Sequence, residues 1–383
     1  MVDNKSRFIN FVSGINGVAP GGNGLVNLPT NQRYHRLKFL TQCVNYTGGA
    51  GKAITALTGT GASATGTLTI VNGVPTAIAI VAGGTGWAVG DTFTIADNTG
   101  RGFVGTVATV TGGPPGALAT ATVTVAGVAS PCDPATVLTS LQQLVNGVPV
   151  RDISPDMVLR AVIAEGGQPN LGELVLNYTD PTRNEIMRND VTSWYLFGQS
   201  TFSIRFGISP TVTAPSVTGT QEFDFQRNIR VVGGKEQVFL EPVCQHQYGF
   251  NIPAGRFDIT TLPFDFPISR LWIQAATAGS LSQLEIYQDN NKVFEATKEQ
   301  WEAMYQPYGF QFGRATWFNQ NSTASPQAGQ FAQPRYFDAA YLSDPDGRWG
   351  KYLRCENSLV IRVYSDVPQQ ITILSETMPG AYV

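Results

Sequence analysis

The sequence predicts an all-β chain in which one β-rich unit is used twice and a small module interrupts the first copy. Composition is the first sign. Charged residues are 14% of 383, against about 25% in ordinary domains, while 41 Gly and 23 Pro accompany abundant Thr, Val and aromatic residues. Short strands and tight turns follow from that mixture. The second sign is internal similarity. Leu138, Leu141, Val150, Asp152, Ser154 and Asp156 recur as Leu281, Leu284, Val293, Glu295, Thr297 and Glu299 at a constant offset of 143. Upstream, Leu28, Pro29, Arg36 and Leu37 recur as Leu262, Pro263, Arg270 and Leu271 at 234, and downstream Ser203-Ile204-Arg205-Phe206 resembles Val360-Ile361-Arg362-Val363 at 157. The third sign is the fall from 234 to 143, which places about 91 extra residues in the first unit between Gln42 and Thr136.

Residues 1–24 read as an N-terminal arm. Phe8, Phe11, Val12 and Ile15 fall at helical spacing, so a short helix is expected there, docked on its own domain, on a neighbouring subunit or on a membrane surface. The first unit spans residues 25–225. Tyr34 to Val44 is its first long strand, with His35, Leu37, Phe39 and Thr41 on one face. The inserted module occupies residues 48–131, with 18 glycines and four charged residues, Lys52, Asp91, Asp97 and Arg101. Within it Thr67 to Ala82 reads as a hairpin about Asn72-Gly73, GGTGWAVGDTFTI as a Trp87-bearing turn and strand, and Ala117 to Val125 as the closing strand. Small uncharged side chains suit a compact β-knob, which a surface connection tolerates because loop closure costs little.

From Thr136 the first unit resumes with a strand, an Asn146-Gly147 turn, a return strand and a helix capped by Ser154 with Asp156 in its first turn. Strands follow at Gly172 to Tyr178, Ser193 to Phe197 and Thr201 to Ile208, and Pro210 to Gly219 reads as a Pro/Thr-rich crossing. The second unit, residues 226–383, has strands at Gln237 to Cys244, Arg256 to Ile259 and Ile268 to Gln274. The second hairpin and helix come next, then a loop-rich aromatic stretch, Tyr305 to Trp349, and strands at Ser358 to Tyr364 and Gln370 to Ser375.

The chemistry-bearing residues are sparse. There are two histidines, His35 and His246, and Cys244 with His246 is the one pair at ligand spacing, without a second pair to complete a metal site. Gly48-Gly49-Ala50-Gly51-Lys52 fails as a phosphate loop, since Tyr46 stands where the first glycine belongs and Ala53 follows the lysine. Ser343 to Gly347 supplies two carboxylates, too few for a calcium loop. The sequons at Asn45, Asn177 and Asn321 accompany no secretion signal, so synthesis in a cytoplasm is expected. No catalytic, cofactor-binding or metal residue is assigned. A net charge of -3 with scattered basic residues argues against direct nucleic-acid binding. Cys43 maps through the upstream offset onto Thr277 and Cys132 through the other onto Ala275, so the two cysteines should meet where the module enters and leaves, as reduced thiols.

The repeated pattern, Leu28-Pro29 to Arg36-Leu37, then Leu138 and Leu141, an Asn-rich turn, Val150, an acid and a capped helix, resembles the double jelly-roll major capsid proteins of tailless icosahedral phages with an internal membrane. The module's GGTGWAVGDTFTI is similar to β-modules of phage structural proteins. The resemblance implies two tandem jelly rolls, a homotrimer acting as a pseudo-hexagonal capsomer, and a place in the virion. It also implies partners among neighbouring capsomers, pentons and minor membrane proteins, with no enzymatic activity. The module departs from the family pattern and would project outward. The alternative from another class is a phage fibre, adhesin or carbohydrate-binding β-protein, with Tyr305, Tyr308, Trp317 and Trp349 stacking on sugars.

Overall fold

The structure, a computed structural model, describes residues 7–44, 52–54, 57–59, 61–71, 74–95, 104–112, 115–125, 130–167, 169–179, 193–225, 229–232, 235–238, 243–305, 335–343 and 352–378. Two β-units with the same strand connections account for most of it. In the first, one sheet is ordered Phe8–Val12, Thr213–Asp224, Arg33–Val44, Glu173–Asn177, and the facing one Asn23–Leu28, Phe202–Ile208, Leu138–Val145, Val148–Ile153. In the second, the corresponding orders are Cys244–Ile252, Gln369–Thr377, Ile268–Ala275, Ala339–Leu342 and Gly255–Ile259, Leu359–Ser365, Leu281–Gln288, Asn291–Thr297. Among the described residues each unit therefore shows the two four-strand rows of a jelly roll, a sandwich whose hydrophobic face lies between the sheets, and in the first unit Ser130–Pro131 and Trp194–Tyr195 pair in addition with Arg33–Val44. Arg36 and Arg270 fall on equivalent strands, and Arg205 opposes Gln142 as Arg362 opposes Glu285.

Alternation explains the strands. Phe202–Ile208 and Leu359–Ser365 bury every second residue, placing Phe202, Ile204 and Phe206, or Leu359, Ile361 and Val363, in the core. The hairpins turn at Asn146-Gly147 and Asp289-Asn290, all four at positive φ as such turns demand. Pro155–Ala164 starts at Ser154, whose hydroxyl accepts from the Met157 amide. Lys298–Tyr305 follows Thr297, whose amide donates to Gln300 Oε1, half of a capping box.

Several expectations are corrected. The helix predicted over Phe8 to Ile15 is absent, and Phe8–Val12 is a strand paired antiparallel with Phe223 to Gly219. Its spacing fits a helix, but a segment this short takes the conformation that distant pairing supplies. Pro210 to Gly219 is no mere crossing: Thr213–Asp224 is one of the longest strands, and Pro215 is accommodated by a register shift between Thr213 and Ser216, with Ala214 at φ 47. Of the strand expected from Gln237 to Cys244, residues 239–242 lie outside the described residues; Lys235–Val238 pairs with Ile229–Val232, and a further strand begins at Cys244.

The inserted module has its own sheets, Lys52–Ile54, Thr65–Val71 and Val74–Ala82 in one, and Ala117–Val125, Val104–Thr111, Thr92–Ile95 and Leu57–Gly59 in the other. Its core, Ala64, Trp87, Phe93, Val107 and Leu118, is separate from the core shared by the rolls. Trp87 meets Phe93 edge-on at 6.0 Å. Gly61 and Gly105 leave room for those rings, because an added Cβ at either would lie 2.3 Å from a ring atom. At the stem, Ser130 and Pro131 pair with Cys43 and Gln42, and the α-carbons of Cys43 and Cys132 are 6.0 Å apart. The cysteines are joined as a disulfide, which replaces the expected thiols: their separation lies within the bonding range, and both side chains are buried together.

Candidate functional surface

The two rolls meet edge to edge. Val148–Ile153 runs parallel to Cys244–Ile252, with Arg151 opposite Gln245 and Asp152 opposite His246, so one eight-stranded sheet crosses the junction. Around that seam the polar residues of both rolls interlock. Gln247 Oε1 accepts from the amide of Ser154, the helix cap of the first roll, at 2.8 Å. Arg270 Nη1 reaches Glu165 at 2.6 Å, beyond the end of that helix. Arg335 bonds both Asp133 and Asp156, and Arg160 donates to Asp156 and to the Tyr336 carbonyl. Burial pushes the Asp156 carboxyl up, but Arg160 and Arg335 more than offset it and hold it below the usual range.

Arg151 is 2% exposed and lies 4.8 Å over the Tyr178 ring, with Nη2 donating to the Asn177 carbonyl. Burial lowers its pKa, with Tyr178, Glu376, Cys244 and Glu165 acting in the opposite sense. Arg151, Glu165, Gln245, Arg270 and Glu376 line a cavity of about 50 Å³ at the seam, room for a water molecule or two. Glu376 accepts from Gln245 and from Trp272 Nε1, so its charge is met by neutral donors as well as by Arg270. This is the chemistry of a fastened interface.

The residues singled out in the sequence mostly serve packing. His35 is buried and its Nε2 lies 2.8 Å from Asp224, which also pairs with Arg33. His246 sits in the seam strand, its pKa lowered by burial with Asp152 opposing. Cys244 is buried and forms no disulfide, and no group of three or more His, Cys, Asp or Glu that could hold a metal occurs among the described residues. Tyr305 is buried, with its hydroxyl accepting from the Leu342 amide at 3.1 Å, so it is no sugar platform. Tyr308, Trp317, Trp349, Asn45 and Asn321, most of the 48–52 loop and Asp344 to Gly347 lie outside the described residues. Asn177 ends a strand and meets Arg151 through its backbone. Among the described residues no helix is long and apolar enough to cross a membrane.

Sequence reasoning missed the seam's arginines. Arg151 and Arg335 belong to no local motif, with an acceptor as far as 202 residues away, and Arg160, though four residues after Asp156 on one helix, also reaches the Tyr336 carbonyl 176 residues on. It also missed the open edges. Among the described residues Phe8–Val12 ends one sheet and Asn291–Thr297 another, and the first carries Phe8, Ile9 and Phe11 at 44%, 73% and 80% exposure. On the outer face of the second roll, Arg362 ties Asp258 to Glu285 and lies 4.7 Å over the Tyr287 ring; hydrogen bonds from Arg362 and Arg256 hold the Asp258 carboxyl far below its usual value.

No protein-family model matches the chain, and no curated protein does. Solved structures do. The major capsid protein P2 from bacteriophage PM2 aligns with a TM-score of 0.60 at 11% identity, covering 98% of each chain. The STIV MCP aligns at 0.48 and 10% identity over 98% of this chain and 97% of that one, and PBCV-1 VP54 at 0.47 and 10% over 97% and 93%. The fold assignment rests on the first of these together with the strand order. Two rolls of identical topology, fused in one sheet and matched from end to end by P2, give this chain the double jelly-roll fold of that major capsid protein.

Proposed function

We propose that this protein is the major capsid protein of an icosahedral virus with an internal membrane, built into the virion as homotrimeric, pseudo-hexagonal capsomers. The observation that carries the proposal is the pair of topologically equivalent rolls locked side by side. Two such rolls repeated about a threefold axis present six similar outer edges, a footprint that tiles a closed shell. The full-length match to the PM2 major capsid protein supports the same reading.

In it, residues 25–225, with Phe8–Val12 as an added edge strand, and residues 226–383 act as the two rolls, the segment 1–24 also contacts a neighbouring subunit or the membrane, and the module at 48–131 projects outward for host contact or decoration. The partners are other copies in the trimer, neighbouring capsomers, and penton and minor membrane proteins, with no direct contact to nucleic acid. The role is structural: shape and subunit contact perform it without a catalytic group. Native mass spectrometry and electron microscopy of the purified chain test the proposal. Trimers with a flat pseudo-hexagonal outline are expected, and a monodisperse monomer at high protein concentration would refute it.

A further inference from the structure

The seam inside the chain has counterparts at both open edges. Cys244–Ile252 corresponds to Phe8–Val12, because Gln245 pairs with Glu376 as Ile9 pairs with Glu222, and those glutamates pair in turn with Arg270 and Arg36. Val148–Ile153 corresponds to Asn291–Thr297, the return strand of the repeated hairpin. Within the chain, Val148–Ile153 of the first roll holds Cys244–Ile252 of the second. The two counterparts, Asn291–Thr297 and Phe8–Val12, each end a sheet with no further strand beside them among the described residues.

We propose that Asn291–Thr297 of one copy pairs in parallel with Phe8–Val12 of a second copy, repeating between chains the contact each chain makes within itself. Transferring the register of the internal seam sets Ile9 opposite Phe294 and Asn10 opposite Glu295, with Phe8 beside Val293. Phe8, Ile9, Phe11 and Val293 are all large apolar residues left exposed at these two edges, and a free apolar edge strand is an aggregation hazard unless a partner covers it. The contact is heterologous, using different surfaces of the two copies, so it propagates until the rotation closes. Closure after three copies rests on the capsomer reading above; the strand pairing does not.

Opposed residues on neighbouring strands come within disulfide reach. Asn10→Cys and Glu295→Cys in one chain, with Cys355→Ser to remove the half-buried free thiol, should therefore cross-link between copies under mild oxidation. A ladder ending at three chains on a non-reducing gel is expected, with neither single cysteine giving it. The companion variant Ile9→Asp/Phe11→Asp should weaken association about 100-fold through loss of two buried apolar side chains, with its circular dichroism unchanged. Trimers that neither cross-link nor weaken would overturn this interface and leave the capsomer reading standing. A monomeric parent chain would overturn both, and a ladder running past three would support the pairing while refuting closure.

Discussion

Replacing Arg335 by Met should loosen the fastening between the rolls by about 2 kcal/mol at neutral pH. Arg335 is 9% exposed at its side chain and bonds Asp133 and Asp156, which are 22% and 31% exposed. Removing one member of a fully buried ion pair costs roughly 3–5 kcal/mol. Here the orphaned carboxylates keep part of their solvation and Asp156 keeps Arg160, so the cost falls below that range, to about 2 kcal/mol. The Asp156 carboxyl is held below its ordinary value in the folded chain. A depressed folded pKa gives stability that is complete above the unfolded value, near 4, and is lost as the pH falls through the folded one. The parent should thus lose more stability than the variant on acidification, and the gap between them should narrow as the pH falls below the unfolded value near 4. Urea unfolding at pH 7 and pH 3 measures this. Equal midpoints at pH 7, or a gap unchanged at pH 3, would refute the ion-pair account.

Two further outcomes are expected. Tryptic digestion without reductant should yield a peptide joining Cys43 to Cys132, and Cys43→Ser should lower stability by as much as roughly 4.6 kcal/mol, the chain-entropy value for a link across 89 residues. Deleting residues 48–131 and joining the flanks by a short turn should leave both rolls folded by circular dichroism, since the module's core shares no residue with theirs; an unfolded product would make the module part of the main core.

What was legible in the sequence was whatever repeats or acts locally. The offsets of 143, 234 and 157 found the two rolls because a duplicated unit keeps its core spacing: Leu141 and Leu284 are both buried, as are Leu37 and Leu271. The change of offset located the module, and mapping Cys43 and Cys132 through it anticipated neighbours that are 6.0 Å apart. Their bond was missed because the expectation leaned on the compartment, which residue spacing does not report. The strand at Phe8–Val12 and the length of Thr213–Asp224 were missed for one reason. Each is stabilised by residues some 170 to 215 positions away, and neither helical spacing nor a Pro/Thr-rich run records that partner. Arg151 and Arg335 were invisible on the same ground, and for Arg160 only the pair with Asp156 one turn away was there to be read.

One ion pair occurs in both rolls and is buried in only one. Arg36 and Glu222 lie 2.9 Å apart, with side chains 49% and 15% exposed; Arg270 and Glu376, their equivalents, are 11% and 3% exposed at 3.6 Å. The difference follows from what covers each. The first roll's helix end brings Glu165 to Arg270, while Gln245 and Trp272 donate to Glu376. A charge removed from water needs this second layer of partners, whereas the solvated pair needs only itself and Arg7, 3.2 Å from Glu222. In the isolated chain Arg36→Ala should therefore cost no more than about 1 kcal/mol, the range of exposed pairs. Arg270→Ala, which strands Glu376 and Glu165 together, should cost about 3 kcal/mol. Urea unfolding of the two variants side by side decides the matter: equal losses would mean that the covering roll does nothing for the pair, and that burial at the seam is not what distinguishes the two copies of the unit.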